Sequence, residues 1–248
     1  MLEPATPRAT IRHHRGSTLG WLLGIVAALI AIGIVLIPAT RRGVPEVARR
    51  VACQNNLKRI GDALLAYVEE HGALPPTFSV DAEGRPSQSW RALVLPHVEG
   101  LEADVSIDLT RPWDDPANAS ATARTPVVFR CPSARSRAGT TTYHLVVSPD
   151  GLVRPDGSAT REELAAADPS TILVVDVPPD AAAPWTSPLD AGARSLAATG
   201  RVEGQHRGVV TALRADGTVV AFDPAALAPQ ARRALVTPAF DSPPGQGE

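Results

Sequence analysis

The strongest apolar pattern is a long uncharged run near the start of the chain. No charged residue occurs between Gly16 and Thr40, and the run from Leu19 to Ala39 is almost wholly aliphatic. At about 1.5 Å of rise per residue, a helix over this run spans about 30 Å, the thickness of the hydrocarbon core of a bilayer. A buried soluble helix is rarely apolar on every side over so many turns. The pattern therefore predicts a transmembrane helix over residues 19–39, with Trp21 near one interface.

The length and flanks of this segment argue against its removal as a secretory signal, but they do not give its orientation in the membrane. A cleavable secretory signal has an apolar region of only about 7–15 residues, followed by a cleavage site with small residues of the Ala-x-Ala type. This run is longer and ends in Ile37-Pro38-Ala39, which favours an uncleaved anchor. Because arginines lie on both sides of it, the positive-inside rule gives no orientation.

A second helical pattern follows the apolar segment. Apolar or weakly polar residues recur at spacings of four, three, four and three, which places them on one face of a helix: Cys53, Leu57, Ile60, Leu64 and Tyr67. Gly72 and the pair Pro75-Pro76 predict its end. We expect this helix to bury one stripe against a core.

The rest of the chain alternates between short helices and strand-like runs. Ser89–Leu95 is predicted as a short helix, and Thr160 and Glu163 have the spacing of a capping box. Asp223-Pro224 predicts the start of a further helix, to about Val236. The runs of strand length and composition are Thr77–Val80, Val127–Arg130, Thr141–Val147 and Thr171–Val177.

The clearest local pattern is the hairpin over Val209–Phe222, in which Asp216-Gly217 joins two apolar runs. Asp-Gly tolerates the positive φ angles of a type I′ turn. The whole pattern predicts one α+β domain over residues 44–240, with an antiparallel sheet, and a disordered tail over 241–248.

Composition narrows the function classes. The chain has 248 residues, enough for one sizeable core, and its 24 basic and 26 acidic residues nearly cancel to a net charge of -2. A near-neutral chain lacks the positive field that unspecific nucleic-acid binding requires, so nucleic acid is not an expected partner.

The cysteine pattern leaves two readings open. Cys53 and Cys131 are far apart in sequence and are the only two cysteines. They are compatible with one disulfide in an oxidising compartment or with two unpaired buried thiols. Because no Cys-x-x-Cys or local Cys/His cluster occurs, we expect neither a metal site nor a cofactor.

No common catalytic signature occurs in the chain, and we expect it not to be an enzyme. His206 precedes the hairpin whose turn contains Asp216, and in a simple hairpin the two side chains lie roughly 30 Å apart. They therefore have separate structural roles in the favoured interpretation, and His71 is interpreted as a helix-end residue. The weaker alternative is a metal-dependent enzyme that uses His206 with aspartates, for which the candidates by residue type are Asp114, Asp115 and Asp176.

Several segments together resemble the bacterial domain-of-unknown-function 1559 family, which has a prepilin-like N-terminus and a C-terminal His-x9-Asp-Gly signature. The signature corresponds to His206, Asp216 and Gly217. The other matching segments are Arg15–Leu19, Arg49–Gly61 with its Cys-Gln-Asn-Asn-Leu, Ser89-Trp90-Arg91, Pro112-Trp113-Asp114, Phe129–Ser133 with its Arg-Cys-Pro-Ser, Thr171–Val175 and Pro184-Trp185-Thr186.

This resemblance implies a pilin-like layout, in which a long N-terminal helix includes the transmembrane segment and continues toward a mixed α+β head with an antiparallel sheet. Residues 1–18 are then a cytoplasmic tail, residues 19–39 cross the membrane once, and the head lies outside the cytoplasm. The resemblance favours pairing of Cys53 with Cys131 and implies peptidase cleavage after Gly16, with Ser17 first in the mature chain. Trp21 occupies the position at which prepilins have a glutamate, whose carboxylate pairs with the terminal amine of a neighbouring subunit. A minor or tip subunit, or a plain anchor, fits this departure better than an ordinary filament subunit.

Two functions follow from these observations. The first is a membrane-anchored, non-enzymatic envelope protein that acts through contacts with pilin-like or secretion-system proteins. The alternative is a ligand-binding module, for example for carbohydrate, that would use Trp90, Trp113 or Trp185 as stacking surfaces. Two of these rings on one exposed groove would favour the alternative.

Overall fold

The computed structural model describes residues 18–41, 45–101, 105–155, 157–188, 191–192, 205–206 and 208–223. The chain divides into two compact units, Met1–Pro45 and Glu46–Glu248, which are treated separately below. The predicted cytoplasmic tail up to residue 17, the cleavage site at Gly16 and Ser17, the helix after Pro224 and the tail over 241–248 lie outside the described residues.

The elements, in chain order, form helices and short strands. The α-helices are α1 Thr18–Arg41, α2 Glu46–His71, α3 Trp90–Val94, α4 Ala119–Thr122 and α5 Arg161–Ala166. The strands are β1 Phe78–Val80, β2 Pro86–Ser89, β3 Thr140–Thr141, β4 Tyr143–Val147, β5 Val153–Arg154, β6 Gly157–Ser158, β7 Ile172–Asp176, β8 Ala183–Pro184, β9 Ala191–Gly192, β10 Val210–Arg214 and β11 Val219–Phe222. Short 3₁₀ turns cover Leu95–His97, Pro116–Asn118, Val127–Phe129 and Pro179–Ala181.

The first unit contains α1. Its side chains are described from Gly20 to Ile32, and the large apolar ones among them are exposed, Trp21 to 78%. In the part of the chain that the structure describes, no helix combines the length and the apolarity needed to cross a membrane.

Helix α2 confirms the second helical pattern. Its buried stripe contains Cys53, Leu57, Ile60 and Leu64, and the predicted end is correct because Gly72 takes a φ of +77° there. The His71 ring stacks on Tyr67 and its Nδ1 lies 3.1 Å from the Tyr67 carbonyl oxygen, as expected for a helix-end residue.

The buried stripe of α2 packs on one face of a central sheet. The strand order is β11-β10-β7-β4-β5-β6, and β9 also pairs with β4. The pairs β11/β10, β10/β7 and β7/β4 are antiparallel, whereas β4 pairs in parallel with β5 and β9. Alternate side chains of β4, β7 and β10 contribute to the core under α2, among them Leu145, Val174 and Leu213. Gly61 allows α2 to approach closely, since a Cβ there would lie 2.7 Å from Leu213 Cδ1.

The described residues therefore form an α+β fold with a mostly antiparallel sheet, as predicted. The predicted strands at Thr77–Val80, Thr141–Val147 and Thr171–Val177 are present with shifted ends, and the first of these pairs with β2, which was not predicted. The capping box of Thr160 and Glu163 is formed, and Ser89 caps the predicted short helix α3.

Two local predictions are wrong. Val127–Phe129 is a 3₁₀ turn and not a strand, because Asn56 Nδ2 binds the carbonyl oxygens of Val127 and Arg130, at 2.9 and 3.0 Å, and holds the segment bent. The hairpin β10–β11 exists, but its turn is not type I′. Of its turn residues only Gly217 has a positive φ, +78°, and Arg214 pairs with Thr218 around a three-residue loop.

Candidate functional site

Four side chains from four separate segments meet in the interior of the second unit. Cys53 lies on α2, Cys131 follows the Val127–Phe129 turn, Asp176 ends β7, and His206 precedes β10. One ligand atom from each side chain lies within 4.8 Å of the corresponding atom of every other. All four residues are at most 1% exposed. We refer to these four residues as the Cys2HisAsp cluster.

Direct contacts connect the members of the cluster in pairs. The Cys53 thiol donates to Asp176 Oδ2, with the sulfur 3.2 Å from the oxygen. His206 Nε2 lies 3.6 Å from Cys131 Sγ. The imidazole thus points its Nε2 into the cluster and its Nδ1 away from it.

Each member of the cluster is also held from its outer side. The Tyr143 hydroxyl donates to Cys53 Sγ at 3.1 Å, and the Thr142 hydroxyl donates to Asp176 Oδ1 at 2.5 Å. The Ser133 backbone amide donates to Cys131, and Glu46 Oε1 lies 2.6 Å from His206 Nδ1.

Glu46 is itself fixed at the first turn of α2. Arg49 forms an ion pair with Glu46 Oε2 at 2.8 Å, and the Ser133 hydroxyl donates to the same carboxylate at 3.0 Å. These contacts tie the start of α2 to the Cys131 loop. The hydrogen bond to His206, followed by those from Arg49 and Ser133, lowers the pKa of Glu46 to about 2 against the opposing effect of burial.

The cluster also shifts its own titrations. The hydrogen bond with Cys53, assisted by one with His206, lowers the pKa of Cys131 to about 5 although burial opposes this. The same hydrogen bond, together with burial, raises the pKa of Cys53. Burial raises the pKa of Asp176 well above its usual value. Burial lowers the pKa of His206, but the hydrogen bonds with Cys131 and Glu46 outweigh it and raise that pKa overall.

The segments that carry the two cysteines are fastened to each other by polar contacts. Asn56, three residues after Cys53, donates to the carbonyl oxygens of Val127 and Arg130. The Thr141 hydroxyl donates to the carbonyl oxygen of Phe129 at 2.6 Å. The Cys-Gln-Asn-Asn-Leu and Arg-Cys-Pro-Ser segments thus form one unit of structure.

Comparison with protein families places these segments in a known group. A family model described as a protein of unknown function, DUF1559, matches residues 44–171, about half of the chain. The chain belongs to this DUF1559 family. No curated protein and no solved structure matches it significantly. Within the DUF1559 match lie Cys53 and Cys131, whereas Asp176 and His206 follow it in the chain.

The disulfide predicted between Cys53 and Cys131 is absent from the structure of this DUF1559 protein. Both cysteines are free and buried. The pairing correctly predicted that the two residues meet, but the two sulfurs are not joined by a covalent bond; Asp176 and Tyr143 also contact Cys53, and His206 also contacts Cys131.

The family signature at His206, Asp216 and Gly217 does not form one site. Asp216 is exposed, and its Oδ1 accepts from the Thr218 amide and hydroxyl within the hairpin turn. His206 belongs to the buried cluster. The two residues therefore have separate roles, as the sequence interpretation expected, and Asp176 is the one candidate aspartate that joins His206. Asp114 is exposed and Asp115 caps the Pro116–Asn118 turn.

The tryptophans proposed as stacking surfaces are mostly internal. Trp90 and Trp185 are fully buried and flank Phe129, with ring centroids 6.1 and 6.0 Å from it. Trp113 is half-buried and lies in another loop. Trp90 and Trp185 have no exposed face for a ligand, so the geometry expected of a stacking groove is not present among these three residues.

Sequence reasoning missed the cluster because it searched for metal ligands at short spacings. The four donors of this DUF1559 protein are spread over more than half of the chain and are joined only by the fold. One sequence signal did connect three of these residues: the two cysteine-containing segments and His206 all belong to the same family resemblance. Chemically, the cluster offers two sulfur ligands, one nitrogen ligand and one oxygen ligand in a site closed to solvent.

Proposed function

We propose that the protein is a membrane-anchored, pilin-like envelope protein whose α+β head lies outside the cytoplasm and acts through contacts with other proteins, without enzymatic activity. The observation that carries this proposal is the apolar helix α1. Eight large apolar side chains between Trp21 and Ile32 are exposed, and the sequence has no charge from Gly16 to Thr40. Such a surface is stable in a lipid environment and unfavourable in water.

The arrangement of the head supports the pilin-like part of the proposal. Helix α2 follows the apolar segment directly in the chain and lays its buried stripe on the antiparallel part of a sheet. Among the described residues, α1 extends to Arg41 and α2 begins at Glu46, after the non-helical Pro45. The resemblance to prepilins adds cleavage after Gly16, and Trp21 in place of a glutamate favours a minor subunit over a filament-forming one.

An interaction role is also supported by the surface near the start of α2. Val47 and Val51 lie one turn apart and are 71% and 49% exposed. Apolar side chains at this position suit a contact with another envelope protein, for which pilin-like or secretion-system proteins are the proposed class.

The anchor is tested by substitution at Leu29. Arginine at the centre of a membrane helix costs about 2.5 to 3.5 kcal/mol in insertion. We expect Leu29→Arg to reduce the fraction of full-length protein that resists alkaline extraction from membranes. Val80→Arg is the matched control, since Val80 is a similarly exposed apolar residue outside the apolar segment, at 59% against 62% for Leu29, and the substitution should leave that fraction unchanged.

Topology is measured on intact cells that express the wild-type protein. Protease added to intact cells from which the outer layers have been removed should degrade the head. Wild-type protein that is recovered in the soluble fraction without detergent, or a head that is protected until the cells are lysed, contradicts the proposal. A purified chain that begins at Ser17 supports the cleavage, and an intact Met1 contradicts it.

A further inference from the structure

We propose that the Cys2HisAsp cluster binds one Zn²⁺ ion that has a structural role. The donor set is the first argument. Zn²⁺ in structural sites is held by thiolates, imidazole nitrogens and, less often, carboxylate oxygens, in fourfold coordination. Ca²⁺ and Mg²⁺ require oxygen ligands and do not select sites with two sulfurs.

The distances match a tetrahedral site. Zn–S bonds of about 2.3 Å and Zn–N or Zn–O bonds of about 2.0–2.2 Å imply separations between ligand atoms of about 3.3–3.8 Å. Cys53 Sγ lies 3.2 Å from Asp176 Oδ2, and Cys131 Sγ lies 3.6 Å from His206 Nε2. All remaining pairs lie within 4.8 Å, so an ion needs to draw no pair together by more than about 1–1.5 Å.

The orientation of the donors is fixed by their outer partners. Histidines that bind metals commonly direct the other ring nitrogen to a carboxylate, and ligating carboxylates are themselves hydrogen-bonded. Glu46 occupies this place on His206 Nδ1, and Thr142 occupies it on Asp176 Oδ1. The Tyr143 hydroxyl and the Ser133 amide do the same for the two sulfurs.

Burial assigns a structural role to the ion and not a catalytic one. A catalytic zinc keeps one position open to water or substrate, whereas a structural zinc is closed by four protein ligands. All four cluster residues are at most 1% exposed. Two thiolates and one carboxylate would place three negative charges in this interior, and a divalent cation compensates most of that charge.

A cysteine nucleophile is the competing interpretation of the same residues. Cys131, His206 and Glu46 are connected as a nucleophile, a base and an orienting carboxylate would be. However, Cys131 and His206 are 1% exposed. The pocket of about 390 Å³ that borders this loop is lined by Val127, Arg130 and Ala134 but not by either of them. Cys53 and Asp176 also lie against the pair, which suits a closed site with four ligands.

The ion would join segments that are distant in sequence. It would connect α2, the Cys131 loop, the end of β7 and the segment before β10. Glu46, at the first turn of α2, is held to the same site through His206. We infer that metal binding stabilises the end of the head from which the chain continues toward the apolar segment.

The test uses the full chain, purified in detergent without chelators. Elemental analysis should find about one zinc ion per chain, as a single closed site requires. His206→Gln and Cys131→Ser should reduce this content to below about a tenth of an ion. His71→Gln is the matched control, because His71 is exposed and belongs to a separate group with Glu70 and the half-buried His97, and it should retain the zinc.

Two measurements keep the proposal falsifiable if a variant fails to fold. Wild-type protein reconstituted with Co²⁺ should show thiolate-to-cobalt charge transfer and the intense visible bands of a tetrahedral site. Both thiols should resist alkylation until zinc is removed. A cobalt spectrum without thiolate bands, folded wild-type protein without bound zinc, zinc retained by His206→Gln and Cys131→Ser alike, or an intramolecular disulfide in freshly isolated protein would each overturn the proposal.

Discussion

Asn56 provides the sharpest test of how the two cysteine segments are held together. It is 6% exposed and donates to the carbonyl oxygens of Val127 and Arg130, at 2.9 and 3.0 Å. Asn56→Ala removes both hydrogen bonds. Val127 O keeps the bond from the Arg130 amide at 3.1 Å, so the larger penalty falls on the carbonyl oxygen of Arg130.

The magnitude follows from these contacts. Each lost hydrogen bond costs about 0.5–1.5 kcal/mol, and a poorly solvated carbonyl raises the total to about 2–3 kcal/mol. Alanine regains about 0.6 kcal/mol in helix propensity. We therefore expect a net loss of about 1.5–2.5 kcal/mol in the free energy of unfolding, together with weaker retention of the zinc ion proposed above, because Cys131 lies next to Arg130.

The assay is denaturant unfolding of the detergent-solubilised chain, followed by tryptophan fluorescence. Asn55→Ala is the matched control, since Asn55 is the same residue type, one position away and exposed. Because it gains the same helix propensity and loses no buried hydrogen bond, it should raise the free energy of unfolding by about 0.6 kcal/mol. Equal stabilities for the two variants would refute the argument that Asn56 clamps the loop.

Three further predictions concern the core, a buried histidine and the hairpin. Phe129 is packed between two buried tryptophans. Phe129→Ala should lower the free energy of unfolding by about 3–5 kcal/mol, and Phe129→Leu should lower it by less than half of that. Similar values for both variants would contradict the packing argument. Burial, followed by the charge of Arg91, lowers the pKa of His144 from 6.5 to about 3. The unfolded chain then binds more protons than the folded one between these pH values, so stability is lost as pH falls from 6.5 toward 3. His144→Gln should remove up to about one tenfold change in the unfolding equilibrium per pH unit in that window, and an unchanged pH slope in urea titrations would be inconsistent with a neutral buried imidazole. Gly217→Ala should destabilise the head by about 1–2 kcal/mol in thermal unfolding because of the positive φ at this turn, whereas Gly157→Ala, where φ is not positive and an added Cβ meets nothing, should have little effect.

The elements that could be predicted from sequence are those whose signal is local. The apolar stripe of α2, the capping box at Thr160 and the hairpin around Asp216-Gly217 each depend on residues close together in the chain. The structure confirms them as elements. The turn type was wrong because Asp216 does not take the positive φ that type I′ requires.

What could not be predicted depends on contacts between distant segments. Val127–Phe129 has strand-like composition, but Asn56 on α2 captures its carbonyl groups and bends it. Asp176 looked like one aspartate among several until β7 placed it beside Cys53. The signature residues His206 and Asp216 are close in sequence yet serve a buried cluster and an exposed turn. Spacing along the chain therefore carried little information about the site.

The cluster also changes how the family segments are interpreted. The Cys-Gln-Asn-Asn-Leu segment supplies one sulfur and the clamp from Asn56, and the Arg-Cys-Pro-Ser segment supplies the other sulfur and the Ser133 contacts to Glu46. Both segments lie within the matched family region and contribute to one site, whose other two members, Asp176 and His206, follow that region in the chain. This is a structural explanation for two cysteines whose pairing the family resemblance favoured.

X-ray absorption at the zinc edge of the purified full-length protein tests the proposed metal centre most directly. Zinc bound by the Cys2HisAsp cluster should give a first shell of two sulfur atoms at about 2.3 Å and two nitrogen or oxygen atoms at about 2.0–2.2 Å, with the outer-shell scattering of one imidazole. A first shell without sulfur, or protein that carries no zinc while both thiols remain reduced, would contradict it.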